Sequence, residues 1–279
     1  KIISALKKYN KELKLLCVGD DWQAINGFAG SDIKYFKRFN EYFDNAVVLN
    51  MFKNYRSGRE IINYSNKISN ESFSEYSIPV INNGEVWRVN TDKLFLNLNN
   101  SKHYNEQAED DDKYLFSDRD AFESSRQDIC KYLKVCKKII DTNKNAKSIL
   151  ILNRTNNVGK DVSLKNFEDK LNEIYEKQKD KNIKSKIEVN TSHSSKGKEA
   201  DIVIILKVVR GNYPLIHPDN ELFQIFGKSL NDAVIEERNI FYVSCTRARK
   251  KLFLLTEEGL ESEFLLVNNP DTYDNNNLI

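Results

Sequence analysis

Short apolar runs bounded by polar residues recur along the chain: LKLLCVG (13–19), AVVLN (46–50), SILILN (148–153), KIEVN (186–190), DIVIIL (201–206) and KLFLL (251–255). Runs of this length without apolar/polar alternation predict strands covered on both faces, as in a parallel sheet. Between them apolar residues return at helical spacing. Leu164, Phe167, Leu171, Ile174 and Tyr175 form one such stripe, and Ile129, Leu133, Cys136 and Ile140 another. A further helix is predicted over DAVIEERNIFYVSCTRARK (232–250), with Val234, Phe241, Cys245 and Ala248 on one side, and IISALKKYNKEL near the start also reads as helix. Strands alternating with helices predict an α/β fold with a mainly parallel sheet flanked by helices. Residues 84–120 break the pattern: EVWRV and KLFLNL read as strand pieces and the acidic EQAEDDDKY as a solvated loop. This stretch is expected to be a small excursion from the sheet.

Composition narrows the partners. With 279 residues and 40% hydrophobic content the chain can fill a real core, and 43 Lys and Arg against 41 Asp and Glu leave a net charge of only +2. Any nucleic-acid surface is therefore local. Cys17, Cys130, Cys136 and Cys245 form no C-x-x-C pair, so they read as reduced core thiols of a cytoplasmic protein. The most apolar run, DIVIILKVV, is too short to span a bilayer. The first residue is Lys1 rather than Met, and the expectation is a piece of a longer protein.

Four polar clusters interrupt the apolar pattern. VGDDWQ puts Gln23 just past a predicted strand, where a neutral amide can bond a phosphate oxygen or a water, or serve as an ordinary loop residue. NYRSGREI (54–61) sets an aromatic face beside a guanidinium that can clamp a phosphate, although a plain surface arginine fits equally. VNTSHSSKGKEADIVIIL (189–206) packs Thr191, His193, Ser195, Lys196, Gly197 and Glu199 between two strands at one sheet edge. EERNIFYVSCTRARKKL (236–252) carries three arginines and two lysines on what reads as a helix, with Arg247 after the small pair Cys245–Thr246, in a place suited to a buried or interfacial role.

In order, GDDWQAI-x-x-F-x-G-x-D, NYRS, T-x-H-x-S-K-G-x-E and EER-x-x-x-YV-x-x-TRA resemble motifs III, IV, V and VI of the UvrD/Rep-like superfamily 1 DNA helicases, from about residue 15 to residue 255. The wording around Phe28 is most similar to the helicase IV branch. The resemblance implies RecA-like motor domains that bind ATP with Mg²⁺ in the cleft between them and move along single-stranded DNA, 3′ to 5′, to open duplex junctions. Residues 1–45 would end the first motor domain, with motif III. Residues 46–279 would form the second, with motifs IV to VI and a reduced insertion near 84–120. On the nucleotide it implies Gln23 as γ-phosphate sensor, Tyr55 stacked on adenine, Arg56 on the γ-phosphate, Gly197 in the nucleotide-binding turn, Glu199 on the ribose and Arg247 as arginine finger. On DNA it implies Phe28 as base platform, with Arg154, Asn156, Thr191 and His193 on the strand backbone.

Departures from the family pattern are specific. Asn26, Gly27, Phe28 and Ala29 stand where many relatives alternate aromatic and arginine, and Lys198 replaces the leucine of SKGLE. The interval between Ser57 and Thr191 is too short for a large inserted domain. No G-x-x-x-x-G-K-[ST] loop and no Asp-Glu magnesium motif occur, and NVGKDVS lacks the first glycine of such a loop. The lysine for the phosphates and the Mg²⁺ ligands are therefore expected upstream, in a missing first motor domain, and this chain alone is expected to be inactive. Two other readings keep the fold: an ATPase that remodels a protein–nucleic acid complex such as one around RNA polymerase, and a subunit of a helicase–nuclease.

Overall fold

The computed structural model describes residues 2–25, 34–43, 45–69, 77–100, 123–159, 162–177, 185–218 and 229–266. Five strands form one sheet in which every pairing is parallel: β3 (Glu85–Asn90), β4 (Ser148–Asn153), β7 (Lys186–Thr191), β8 (Ala200–Ile205) and β9 (Ala248–Thr256), in the order β3-β9-β8-β4-β7. Two small sheets accompany it. In one, β1 (Lys53–Gly58) runs parallel to β2 (Ile78–Ile81); the other is the short antiparallel pair β5 (Asn157–Gly159) and β6 (Val162–Ser163).

Alternating side chains on each central strand feed two separate cores, the signature of a sheet covered on both faces. Ile149, Ile151, Ile202, Ile204, Phe253 and Leu255 face one layer, built from α3 (Thr91–Asn100), α4 (Glu123–Thr142) and α5 (Leu164–Lys177) with Leu94, Leu133, Cys136, Phe167 and Leu171. Leu150, Leu152, Val203, Ile205, Leu252 and Leu254 face the other, built from α2 (Arg59–Ser69), α6 (Leu230–Cys245) and α7 (Glu263–Leu266) with Ile61, Tyr64, Phe241, Cys245 and Phe264. Burial of a side chain of this kind is worth about 1.5–3 kcal/mol.

Local signals fix the element ends. At the start of α6 the Ser229 hydroxyl accepts from the Asp232 amide while the Asp232 carboxylate accepts from the Ser229 amide, a reciprocal capping box. The helix stops at Cys245, and Ala248 already pairs with Ala200. Ala248 is thus the first residue of β9 rather than part of the helix, and of the predicted basic helical cluster only Arg238 lies on α6.

Several sequence expectations are corrected. Residues 13–19 and 46–50 form no strand, and neither belongs to any sheet among the described residues. Leu16, Val18, Val47, Leu49 and Met51 stand exposed. An apolar run becomes a buried strand only where neighbours take up its backbone groups and cover both faces, and none does so here. Gln23 therefore follows irregular chain, in a 3₁₀ turn over Asp21–Gln23. Helix α1 covers Ile2–Tyr9. EVWRV is the edge strand β3, paired with β9 from Glu85↔Lys251 to Asn90↔Thr256, and not an excursion. KLFLNL lies within α3; the carboxamide of Asn90 caps the turn by accepting from the amides of Asp92 and Lys93. The acidic run at 109–112 lies outside the described residues. Cys130, Cys136 and Cys245 are buried as expected, whereas Cys17 is exposed.

The β1–α2 junction allows only glycine. A Cβ on Gly58 would stand 1.7 Å from the Asn83 carbonyl oxygen, where the chain after β2 crosses beside it, and the Arg59 amide donates to that same oxygen at 2.9 Å. Beside it the Ser57 hydroxyl donates to the Ala248 carbonyl at 2.6 Å, tying β1 to β9. Gly58→Ala must push backbone against backbone, and a loss of about 3 kcal/mol or more is expected in urea unfolding of the intact protein, in the range of severe single substitutions.

Candidate nucleotide cleft and nucleic-acid edge

The parallel register separates the candidate residues into two groups at opposite ends of the sheet. Thr191 closes β7 level with Asn153 at the end of β4, whereas Ala200 opens β8 level with Ala248 at the start of β9. The connector between Thr191 and Ala200 consequently runs the height of the sheet. Thr191 and His193 sit at the carboxyl ends of the strands and Glu199 at the amino ends, so this segment does not gather its polar groups at one sheet edge.

At the amino ends a cleft of about 860 Å³ is lined by Asp20, Gln23, Tyr55, Arg56, Glu199, Tyr242, Arg247 and Arg249 among others. It brings together five of the six residues expected on the nucleotide. The sixth, Gly197, occupies the turn just before Glu199 with φ +86°, in the left-handed region that favours glycine. Six cations (Lys53, Arg56, Lys147, Arg247, Arg249 and Lys250) face three carboxylates (Asp20, Glu199 and Asp201) in this lining. Such an imbalance favours a polyanion.

Arg247 is the buried cation of the cleft, 2% exposed. Its guanidinium donates to the Val243 carbonyl at 2.8 Å, the Thr246 hydroxyl at 3.1 Å and the Lys198 carbonyl at 3.3 Å. All three acceptors are neutral, and no carboxylate among the described residues pairs with it. Burial, and then repulsion from Arg56, pulls its pKa down to about 10, which leaves it charged at neutral pH. The exposed Glu199 carboxylate, by contrast, is shared: Arg56 Nε donates to one oxygen at 3.0 Å and Arg249 to the other. Tyr55 is exposed at the cleft mouth, its ring available for stacking.

Gln23 is held from both sides. Its Nε2 donates to Asp20 at 2.6 Å, and its main-chain carbonyl accepts from Lys196 Nζ at 2.9 Å. Trp22 lies 5.6 Å from the Tyr242 ring on α6, and Ile25 is fully buried in the α2/α6 core. Asp20–Ile25 is thereby docked on the main sheet's helical layer.

At the carboxyl ends Arg154, directly after β4, forms a two-pronged pair with Glu237 of α6, with Nε to Oε2 at 2.8 Å and a second bond to Oε1. Its third contact is His193 Nδ1 at 3.4 Å. Thr191 closes the following turn, its hydroxyl accepting from the Ser194 amide at 3.2 Å. Asn156 is exposed, with its carbonyl bonded to the Leu164 amide. Arg154 is therefore not a free surface cation: its side chain is 12% exposed and Glu237's 7%. Phe28, with Asn26, Gly27 and Ala29, lies outside the described residues. Lys198 in place of leucine is accommodated by an ion pair to Glu188 on β7 at 2.9 Å.

Sequence reasoning missed Arg249, Asp20 and Glu237. Glu237 had a legible signal, since it falls four residues before Phe241 on the buried stripe, where a lone acid needs a buried cation. Arg249 had none before the β8/β9 register was known. Among the described residues no group of three or more His, Cys, Asp or Glu could hold a metal ion, and no described helix is long and apolar enough to cross a membrane.

A parallel α/β domain with a cation-rich cleft at one end and a largely buried Arg–Glu pair beside a half-buried histidine at the other is the class that the geometry defines. Residues 161–259 match the UvrD-like helicase C-terminal domain. Over 267 residues the chain is 25% identical to DNA helicase IV of Escherichia coli (strain K12), covering 95% of this chain and 32% of that protein. It thus spans about a third of that relative's length. A solved structure, the C-terminal domain of a possible DNA helicase from Lactobacillus plantarum WCFS1, aligns over 77% of this chain and 94% of its own with 16% identity and a TM-score of 0.36. The chain resembles the C-terminal part of the UvrD-like helicases, as its four motifs indicate, and its main sheet is of the parallel α/β class.

Two outcomes follow from the Arg154 cluster. Glu237→Ala strands a buried guanidinium, and a loss of about 3–5 kcal/mol is expected in chemical unfolding. Burial, and secondarily Arg154, hold the His193 imidazole below its ordinary pKa of 6.5. The unfolded chain then binds the proton more readily than the folded one, so the His193 contribution to stability is present above pH 6.5 and lost as pH falls below it. His193→Gln should flatten that acid-side loss, read from unfolding midpoints between pH 7.5 and pH 5.

Proposed function

We propose that this chain is the C-terminal part of an ATP-dependent DNA helicase that moves along single-stranded DNA and opens duplex, 3′ to 5′ by its resemblance. The observation that carries the reading is Arg247, a buried guanidinium held only by neutral oxygens, in a cleft shared with Gln23, Tyr55, Arg56 and Glu199. A preorganised cation without a counter-ion is suited to stabilise charge that develops on a phosphoryl group during transfer.

In this reading Tyr55 stacks on adenine, Glu199 and the Gly197 turn take the ribose side, Arg56 clamps the γ-phosphate and Gln23 senses its presence. Arg154, Asn156, Thr191, His193 and Phe28 are assigned to the DNA strand, where backbone contacts position without reading sequence and a base stacked on Phe28 is worth about 1–3 kcal/mol. Arg154 acts there chiefly by holding His193, because Glu237 already occupies much of its guanidinium. Residues 46–279 are assigned to a second motor domain and 1–45 to the end of a first, and the exposed apolar stretch at 13–19 fits a strand whose sheet lies in that first domain. Its residues would also supply the phosphate lysine and the Mg²⁺ ligands. The chain by itself is therefore expected to lack ATPase activity, and the site of action is assigned to the cytoplasm.

In the intact protein Arg247→Ala is expected to keep single-stranded DNA binding, measured by fluorescence anisotropy, and to lose DNA-stimulated ATP turnover by about a thousandfold or more. Near-normal turnover would overturn the finger assignment.

A further inference from the structure

Glu199 offers one carboxylate to two arginines that come from differently anchored elements. Arg249 lies on β9, one residue past the Ala200↔Ala248 pairing that sets β8 beside β9, so its bond to Glu199 is made within one continuous sheet. Arg56 lies on β1, in the separate two-stranded sheet, and among the described residues Glu199 is the sole partner of its guanidinium, at 3.0 Å. These side chains are 39% (Arg56), 36% (Glu199) and 47% (Arg249) exposed. Ion pairs so open to water are weak and readily exchanged.

The same cleft holds Arg247, which Arg56 repels. Glu199 pairs directly with Arg56, and a triphosphate entering the cleft competes with it for that guanidinium. Once Arg56 turns to the phosphate, Glu199 would face a polyanion with an unpaired negative charge unless a second cation remained on it. We propose that Arg249 is a positioning residue for the nucleotide: it retains and neutralises Glu199 when Arg56 transfers from that carboxylate to the incoming phosphates. The proposal rests on the nucleotide reading of the cleft and assigns Arg249 no contact with the phosphates.

The test is steady-state, DNA-stimulated ATP hydrolysis by the intact protein with Arg249→Ala, Arg249→Lys, Glu199→Gln and the double variant Glu199→Gln/Arg249→Ala. Arg249→Ala is expected to raise KM for ATP about three- to fivefold, the scale of an exposed ion pair, with kcat changed less than about twofold. Arg249→Lys should restore most of the loss, and in the Glu199→Gln background removing Arg249 should leave KM where Glu199→Gln alone sets it. An unchanged KM in Arg249→Ala, or an equal rise in both backgrounds, overturns the proposal. A purely structural role is separated by thermal unfolding, since it would lower the midpoint in both backgrounds and Arg249→Lys would not rescue KM. Failure of the wild-type protein to bind or hydrolyse ATP would instead remove the nucleotide reading itself, and the proposal with it.

Discussion

Because β7 and β8 are parallel, the chain between them has to travel back against their direction, and this geometric requirement organises both sites. A six-residue strand such as β8 spans about 17–20 Å, and the connector from Ser192 to Glu199 reaches about 26–29 Å if fully extended. It contains a 3₁₀ turn over His193–Ser195, so little slack is left. Its start is pinned by the Ser192 hydroxyl against the buried Tyr213 hydroxyl at 2.6 Å and by Ser195 donating to the Ser192 carbonyl at 2.6 Å. Partway along, Lys196 holds the Gln23 carbonyl. A displacement at either end of such a segment is poorly absorbed inside it.

Two desolvated arginines, one buried and one largely so, illustrate opposite electrostatic solutions. Arg154 is matched by a two-pronged carboxylate, the arrangement that makes a desolvated guanidinium tolerable and fixes its direction. Arg247 is given only dipoles: carbonyls and a hydroxyl satisfy its donors without cancelling its charge. The first arrangement suits a structural anchor beside His193. The second stores an uncompensated cation at the amino ends of β8 and β9, at the cost of the desolvation that depresses its pKa.

The α/β class, four of the five main strands and the helices over 123–142 and 164–177 were legible because each carries enough apolar residues at the right period to state its own environment. Failures came where the environment is supplied from elsewhere. LKLLCVG and AVVLN have the composition of buried strands but stand with apolar side chains in solvent, and EVWRV looked isolated although β9 takes it as a neighbour. The helix that was extended to residue 250 ends at Cys245 because Ala248 must begin β9. For the site, motif order located Gln23, Tyr55, Arg56, Glu199 and Arg247, which do line one cleft. It gave no hint that motif V divides its residues between opposite ends of the sheet, since strand direction and register are tertiary facts.

The docking of Asp20–Ile25 also gives the molecule an optical handle. The chain has two tryptophans. Trp87 sits on the edge strand with its indole N–H donated to Glu85 at 2.8 Å, away from the cleft lining. Trp22 adjoins Gln23 and lies against Tyr242, a residue of the cleft wall. With Trp87 replaced by phenylalanine, the emission of the remaining indole would report the packing of this one segment, turning an aromatic contact into an intrinsic fluorescence signal for the state of the cleft.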